Sequence, residues 1–113
     1  RERAEEEFSA FCRAFIQGDE LYLEYERQRA RLGLPEERPG FRREDGQRVA
    51  VLYPRRKEPR FSADIFWGIE RGLIRIRLYT QEGQTAGERE FERSLEGMKR
   101  AVEAMALGPS ALG

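Results

Sequence analysis

Carboxylates are the side chains with the clearest catalytic potential in this sequence, because the chain has no His and only one Cys, Cys12. That composition excludes the usual zinc sites and every triad that depends on His. Asp64 and Glu70 lie in one strand-like run, and carboxylates alone can bind magnesium in a nuclease. Such sites usually continue with an acid and a Lys alternating on the next strand, where this chain has Arg75 and Arg77. We therefore interpret both carboxylates as solvated residues of a sheet face and rank a metal-dependent nuclease last.

The single cysteine is interpreted as a structural residue. Cys12 lies at helical spacing from Phe8 and Phe15, where a small buried thiol packs well, and no neighbouring base is available to activate it. One cysteine cannot form an intramolecular disulfide, which fits a reducing cytoplasm. No apolar run approaches the roughly 18 residues needed to cross a bilayer. We expect a cytoplasmic protein without a cofactor, a metal or a membrane partner.

Positive charge is concentrated in the middle of the chain. The totals are 21 basic and 21 acidic side chains, so no net field would hold the protein on an anionic surface. Residues 38–60, however, contain eight basic and three acidic side chains, whereas the segments on either side are net acidic. The basic side chains of this segment are Arg38, Arg42, Arg43, Arg48, Arg55, Arg56, Lys57 and Arg60.

Two runs of strictly alternating residues, 61–70 and 73–80, predict two antiparallel strands. A two-residue turn at Arg71-Gly72 brings the apolar faces of both runs together. This register pairs Ile69 with Ile74, Trp67 with Ile76, and Ile65 with Leu78. On the outer face it sets Phe66 opposite Arg77, Asp64 opposite Tyr79, and Gly68 opposite Arg75. The predicted inner face consists of Phe61, Ile65, Trp67, Ile69, Ile74, Ile76 and Leu78.

Apolar or small residues recur at alternating steps of four and three over residues 4–32, which predicts one long N-terminal helix. Gly33 can take the left-handed conformation that ends such a helix, and Leu34 can then fold back on it. Gly18 could instead divide the segment into two helices, with Asp19 as the second N-cap.

The remaining elements follow from turn and capping signals. Residues 35–48 are interpreted as a loop, in which Asp45-Gly46 closes a small hairpin if Phe41–Glu44 forms an edge strand. A clearer strand follows at Val49–Tyr53. Thr85–Glu88 has the spacing of a capping box, so the C-terminal helix is expected to begin there.

These elements predict a single α+β domain over residues 1–113. The expected architecture is a small antiparallel sheet of three to four strands, with a long N-terminal helix and a C-terminal helix packed on one face. Because residue 1 is Arg, the chain could also be part of a longer one. The basic residues are 19 Arg and two Lys, which indicates a thermophilic or high-GC bacterium, or its phage, as the source.

One stretch also carries a family pattern. Arg75-Ile76-Arg77-Leu78-Tyr79 is followed by a Gly-containing turn and then by Glu90-Phe91, Leu95, Lys99 and Val102-Glu103. This pattern resembles an uncharacterised bacterial α+β domain found in restriction-endonuclease-like and defence-associated proteins, over about residues 61–105. The resemblance implies a nucleic-acid-associated accessory domain and supplies no catalytic residues.

The leading functional hypothesis is a non-enzymatic interaction module that contacts nucleic acid or a nucleic-acid-handling protein. Guanidinium groups beside aromatic rings can engage phosphates and stacked bases. The candidate binding residues are Arg42, Arg43, Arg55, Arg56, Lys57, Arg60, Phe66, Arg75, Arg77 and Tyr79. The opposing interpretation is that these arginines pair with the acidic helices and that Arg77 only covers Phe66.

A second hypothesis is a phage or bacterial regulator that binds a protein such as a polymerase or nuclease. Its candidate anchors are Tyr22, Tyr25, Phe66 and Tyr79, since exposed aromatic residues often dominate interfaces. A homodimer is a further expectation left open, because the helix stripe or an unpaired strand could bury a second copy.

Overall fold

The computed structural model of the chain describes residues 2–54, 62–67 and 73–112. In this part of the chain five strands form one antiparallel sheet, in which each strand pairs with its neighbours in sequence. The elements are α1 (Glu2–Gln17), α2 (Leu21–Arg31), β1 (Glu37–Glu44), β2 (Gln47–Pro54), β3 (Ser62–Trp67), β4 (Leu73–Tyr79), β5 (Thr85–Glu92), α3 (Leu95–Leu107) and a 3₁₀ helix (Pro109–Leu112). The α+β class is confirmed, whereas the expected number of strands was too small.

The N-terminal helical segment is two helices, so the prediction of one continuous helix is wrong and the alternative break at Gly18 is confirmed. The last α-helical bond of α1 runs from Gly18 N to Ala14 O (2.9 Å), and Asp19 N then bonds to Ile16 O in a tighter turn. The Asp19 carboxylate accepts a hydrogen bond from Leu21 N (2.9 Å) at the start of α2. The N-cap of α2 is Glu20 rather than the expected Asp19, and its side chain makes no capping bond, so Asp19 satisfies the first amide of α2 from one residue earlier.

The end of α2 follows the sequence prediction. Gly33 has a φ of +70°, and Leu34 N returns to Arg29 O at 3.0 Å. This 6→1 bond satisfies a carbonyl of the last turn, and Leu34 folds back against the core.

The hairpin at Asp45-Gly46 is confirmed and is longer than expected. Both turn residues have positive φ, 50° for Asp45 and 80° for Gly46, as a two-residue turn of the I′ type requires. Pairing extends from Glu44 opposite Gln47 to Glu37 opposite Pro54. Most of the segment interpreted as a loop is therefore an edge strand.

The pairing of β3 with β4 differs from the predicted register by two residues. The structure pairs Trp67 with Ile74, Ile65 with Ile76 and Ala63 with Leu78 on the inner face. On the outer face it pairs Phe66 with Arg75, Asp64 with Arg77 and Ser62 with Tyr79. An even shift keeps each side chain on its predicted face, so apolar alternation cannot distinguish the two registers. The predicted turn at Arg71-Gly72 and the positions of Phe61, Gly68, Ile69 and Glu70 lie outside the described residues.

The C-terminal helix begins at Leu95 rather than at the predicted capping box, because Thr85–Glu92 forms β5. Ser94 is the N-cap, and its hydroxyl oxygen accepts a hydrogen bond from Gly97 N at 3.0 Å. Strand pairing is favoured over a helix here because Glu88 and Glu90 lie directly opposite Arg77 and Arg75.

The three helices and the inner face of the sheet share one apolar core. The described residues of the predicted inner face are all buried in it, which confirms that face: Ile65, Trp67, Ile74, Ile76 and Leu78. Cys12 is also buried in this core, as expected, and burial raises the pKa of its thiol.

Asp19 joins three parts of the fold from a nearly inaccessible position. Its Oδ2 accepts a hydrogen bond from Trp67 Nε1 on β3 (2.8 Å) and forms an ion pair with Arg93, just before α3. Burial opposes ionisation of this carboxyl, but the hydrogen bonds from Trp67, Leu21 and Arg93 outweigh it and lower the pKa of Asp19. One carboxylate thus fixes the helix break against the sheet and against the start of α3.

Replacing Asp19 with Asn is expected to lower the free energy of unfolding by about 2–3 kcal/mol. The Arg93 guanidinium would lose its counter-ion, and the Trp67 N–H would donate to a neutral acceptor instead of a charged one. The measurement is urea unfolding at pH 7. Since the pKa of Asp19 is lowered in the folded state, wild type should lose this advantage as the pH falls below about 4. Glu20→Gln, at the exposed neighbouring position, is the control. Equal losses in both variants would contradict this role of Asp19.

Candidate functional site

The outer face of the sheet, turned away from the helices, brings together five of the sequence-predicted site residues. We use "outer face" for the strand residues whose side chains point to this side. Its predicted members are Arg42, Phe66, Arg75, Arg77 and Tyr79. Four acidic residues, which the prediction did not assign to the site, share this face with them: Glu44, Asp64, Glu88 and Glu90.

Side chains of β1 reach β4 directly across the outer face. Arg77 Nη1 and Nη2 donate to the two carboxylate oxygens of Glu44 at 2.9 and 3.1 Å, and Arg42 Nη1 donates to the Tyr79 hydroxyl at 2.7 Å. In a flat sheet β1 and β4 would be about 14 Å apart, with β2 and β3 between them. Extended arginine, glutamate and tyrosine side chains can bridge this distance, so these contacts link β1 to β4 across the two strands between them.

Asp64 lies on β3 in the middle of the outer face and is buried, so its interpretation as a solvated carboxylate is wrong. The Tyr79 hydroxyl donates to Asp64 Oδ2 at 2.9 Å, and Arg42 forms an ion pair with the same oxygen. Burial raises the pKa of Asp64 in spite of these partners. The side chains of Arg42 and Tyr79 explain the burial, because both contact this carboxylate and shield it from solvent.

Phe66 is also buried on the outer face, beside the fully buried Val51. The guanidinium of Arg77 lies over the Phe66 ring at 4.6 Å from its centre. Arg77 therefore covers an apolar side chain while its nitrogen atoms pair with carboxylates. Arg77 thus covers Phe66, as the opposing interpretation expected. The two residues are diagonal neighbours, because Arg75 rather than Arg77 lies directly opposite Phe66.

The remaining outer-face arginine pairs with β5. Arg75 Nη2 lies 2.8 Å from Glu90 Oε2, and Arg77 Nε lies 2.8 Å from Glu88 Oε1. The outer-face arginines thus pair with carboxylates of the strands, whereas Arg43 pairs with helix α1 as the opposing interpretation expected. Arg77 lowers the pKa of Glu44 by hydrogen bonding. The outer face is consequently a network of matched charges with little unpaired positive charge.

Exposed basic side chains lie at the margins of this network. The guanidinium of Arg38 is exposed and lies 5.7 Å from the centre of the Tyr53 ring. Arg43 lies on the opposite face, where it pairs with Glu5 of α1 at 3.2 Å. The other predicted binding residues lie outside the described part of the chain: Arg55, Arg56, Lys57 and Arg60.

The chemistry open to this face is recognition by charge and stacking. Within the described residues, no group of three His, Cys, Asp or Glu side chains is placed to hold a metal ion. Asp64 is occupied by a tyrosine and an arginine, and both partners cover it. The geometry therefore offers paired guanidinium groups and aromatic rings, which can exchange one anionic partner for another.

A second buried polar pair, missed in the sequence, lies at the start of β1. The Tyr25 hydroxyl and Glu37 Oε2 are both buried, and neither makes a well-formed hydrogen bond within the described residues. Burial raises the pKa of Glu37 to about 8, and burial together with the nearby Glu37 carboxyl also raises the pKa of Tyr25. The only sequence signal was Glu37 itself, an acid next to a strand edge.

Comparison of the chain with protein-family models, with curated proteins and with solved structures gave no match. Among the helices described here, none combines the length and the apolar character needed to cross a membrane. Functional inference therefore depends on the residues and their geometry.

The Arg77–Glu44 pair is expected to couple more strongly than an exposed pair, because only 12% and 19% of its side chains are exposed. Urea unfolding of Arg77→Ala, Glu44→Ala and the double variant should give a coupling free energy of about 1–2 kcal/mol. The control cycle uses Arg43 and Glu5, with 58% and 43% exposure. Its coupling should be below about 0.5 kcal/mol. Similar values for both cycles would show that the hairpin does not hold Glu44 over β4.

Glu37→Gln is expected to stabilise the protein at pH 8 by roughly 1–3 kcal/mol. With the folded pKa raised from 4.5 to about 8, only the unfolded chain ionises at Glu37 between these values. Wild type should therefore lose stability at this group as the pH rises through that window, and the variant should not. Unfolding free energies from pH 4 to pH 9 measure this slope. Glu36→Gln, on the exposed neighbouring residue, is the control, and an unchanged slope in Glu37→Gln would refute the assignment.

Proposed function

We propose that this chain is a non-enzymatic interaction module that contacts nucleic acid or a nucleic-acid-handling protein at the Tyr53 end of its outer face. The observation that carries the proposal is the exposed Arg38 guanidinium stacked on Tyr53, directly before Pro54. The basic segment 55–60 follows immediately in the sequence. The strand end that carries an exposed guanidinium and an aromatic ring is thus followed in the sequence by a positively charged segment, a combination suited to phosphates and bases.

The paired arginines have a different part in this proposal. Arg42, Arg75 and Arg77 are neutralised by carboxylates, so they attract a polyanion weakly at long range. Arg42 and Arg77 hold Tyr79 in position, and Arg77 also binds Glu44 of the β1–β2 hairpin. All three arginines contact a phosphate only where it displaces a carboxylate. Long-range attraction then comes from Arg38 and the 55–60 segment. The same proposal includes a cytoplasmic location. It also includes the resemblance of residues 61–105 to a domain found in restriction-endonuclease-like proteins.

The test compares two variants, each of which removes two basic residues that are neighbours in the sequence. Arg55→Ala/Arg56→Ala should weaken binding to single- or double-stranded DNA or RNA about tenfold or more at moderate salt, and should reduce the salt slope by about two. Lys99→Ala/Arg100→Ala removes the same charge from exposed positions on α3 and should change both quantities little. Filter binding over a range of salt concentrations measures both. If wild type shows no affinity for nucleic acid at low salt, or if both variants lose the same affinity, the proposal that this chain binds nucleic acid directly is refuted.

A protein-binding regulator is the second candidate, and exposed apolar side chains on the helices favour it. Tyr25 and Phe66, two anchors considered for it, are buried, and Tyr22 and Tyr79 are partly buried. Among residues whose burial the structure describes, the large apolar side chains that are at least half exposed are Phe11, Leu23, Leu95 and Leu107. One stoichiometric partner recovered from source lysate after nuclease treatment, and lost in a Leu23→Ser/Leu107→Ser variant, would favour this candidate over nucleic-acid binding.

A further inference from the structure

Tyr53 is held in a fixed position at the margin of the outer face. Its hydroxyl donates a hydrogen bond to the main-chain carbonyl of Phe41 on β1. The Cδ2 and Cε2 atoms of its ring lie beside Gly40, where a Cβ atom would be only 3.2 and 3.0 Å from them. The glycine therefore leaves the space that the ring occupies. These two contacts fix an aromatic ring that is itself only partly buried.

Arg38 supplies positive charge beside this ring. It lies directly opposite Tyr53 in the β1–β2 pairing, its side chain is exposed, and its guanidinium lies 5.7 Å from the ring centre. Among the ion pairs of the described residues none uses Arg38, whereas Arg42, Arg75 and Arg77 are all paired. Within that part of the chain, Arg38 thus combines an unpaired charge with a fixed aromatic neighbour.

Carboxylates limit where a nucleic-acid backbone can lie on the outer face. Glu88 and Glu90 are on β5, at the opposite edge of the sheet from Arg38, and 37% and 43% of their side chains are exposed. A rigid duplex lying across the sheet would bring its phosphates against these carboxylates. A flexible single strand can instead follow the β1 edge, where its phosphates reach Arg38.

We propose that Tyr53 and Arg38 stack an unpaired base of single-stranded nucleic acid, an inference that rests on the proposed function and narrows its ligand. Aromatic rings and guanidinium planes stack on bases of any sequence, provided that those bases are already splayed out. A side chain that opens a duplex inserts its free end between base steps. The free end of Tyr53 is bonded to the carbonyl of Phe41, so this ring is not placed to act as such a wedge. Because the ring is fixed before binding, stacking on it costs little conformational entropy.

Three probes test this site with the unmodified protein: a single strand of about 12 nucleotides, its duplex, and the same strand with abasic sites in place of bases. The intact single strand should bind at least about tenfold more tightly than the duplex at moderate salt. The abasic strand should bind about tenfold more weakly than the intact one, because it keeps the phosphates and loses the stacking groups. Fluorescence anisotropy over a range of salt concentrations measures all three affinities.

The variant Tyr53→Leu isolates the contribution of the ring. It should bind the intact single strand about tenfold more weakly than wild type with an unchanged salt slope, because it removes a ring and no charge. It should bind the abasic strand as wild type does. Phe11→Leu removes a half-exposed ring from α1, on the other side of the molecule, and is the matched control that should change none of these values. Far-UV circular dichroism and urea unfolding establish that both variants are folded.

The outcomes separate this inference from the function on which it rests. If wild type binds the duplex or the abasic strand as tightly as the intact single strand, or if folded Tyr53→Leu binds like wild type, the stacking site is ruled out while direct binding of nucleic acid stands. If wild type binds none of the three probes at low salt, both proposals fail together.

Discussion

Asp19 places a carboxylate with almost no solvent access at the point where α1, α2, β3 and the connection from β5 to α3 meet. A buried charge is tolerated only where hydrogen bonds and a counter-ion replace its hydration, and here Leu21, Trp67 and Arg93 supply them from three separate elements. Displacement of any one element would leave the charge unsatisfied. The bend between α1 and α2, the position of Trp67 and the entry to α3 are therefore set together rather than independently.

The two faces of the sheet are stabilised by different physics. On the inner face apolar side chains pack against the helices, and shape decides the fit. On the outer face Glu44 pairs with Arg77 and Asp64 pairs with Arg42, so charge is satisfied across strands that do not pair with each other. This arrangement changes how the composition bears on function. The sequence places several arginines on this face. Because most of them pair with carboxylates in the structure, unpaired positive charge among the described residues remains at the margins of the face.

The sequence predicts the features that depend on local or periodic signals. The inward-facing residues of β3 and β4, the Asp45-Gly46 turn and the end of α2 at Gly33 all belong to this class. Features that depend on distant partners could not be derived in the same way. The apolar stripe keeps its phase through Gly18, and the break there is fixed by Trp67, 48 residues beyond Asp19. The burial of Asp64 depends on Arg42, which lies 22 residues away on a strand that does not pair with β3, and no local pattern in the sequence gives a signal for that contact.

Strand β5 shows how two local signals can compete. Thr85–Glu88 has capping spacing, but residues 88–92 also alternate between acidic and inward-facing side chains, and pairing with Arg75 and Arg77 decides in favour of the strand. The helix then begins after a two-residue reversal, with Gly97 against β5. A Cβ at Gly97 would lie 1.9 Å from Glu92 O, closer than any two such atoms can approach. Glycine here, together with Asp19, Trp67 and Arg93, gives a fingerprint of four positions by which a distantly related sequence with this fold could be recognised.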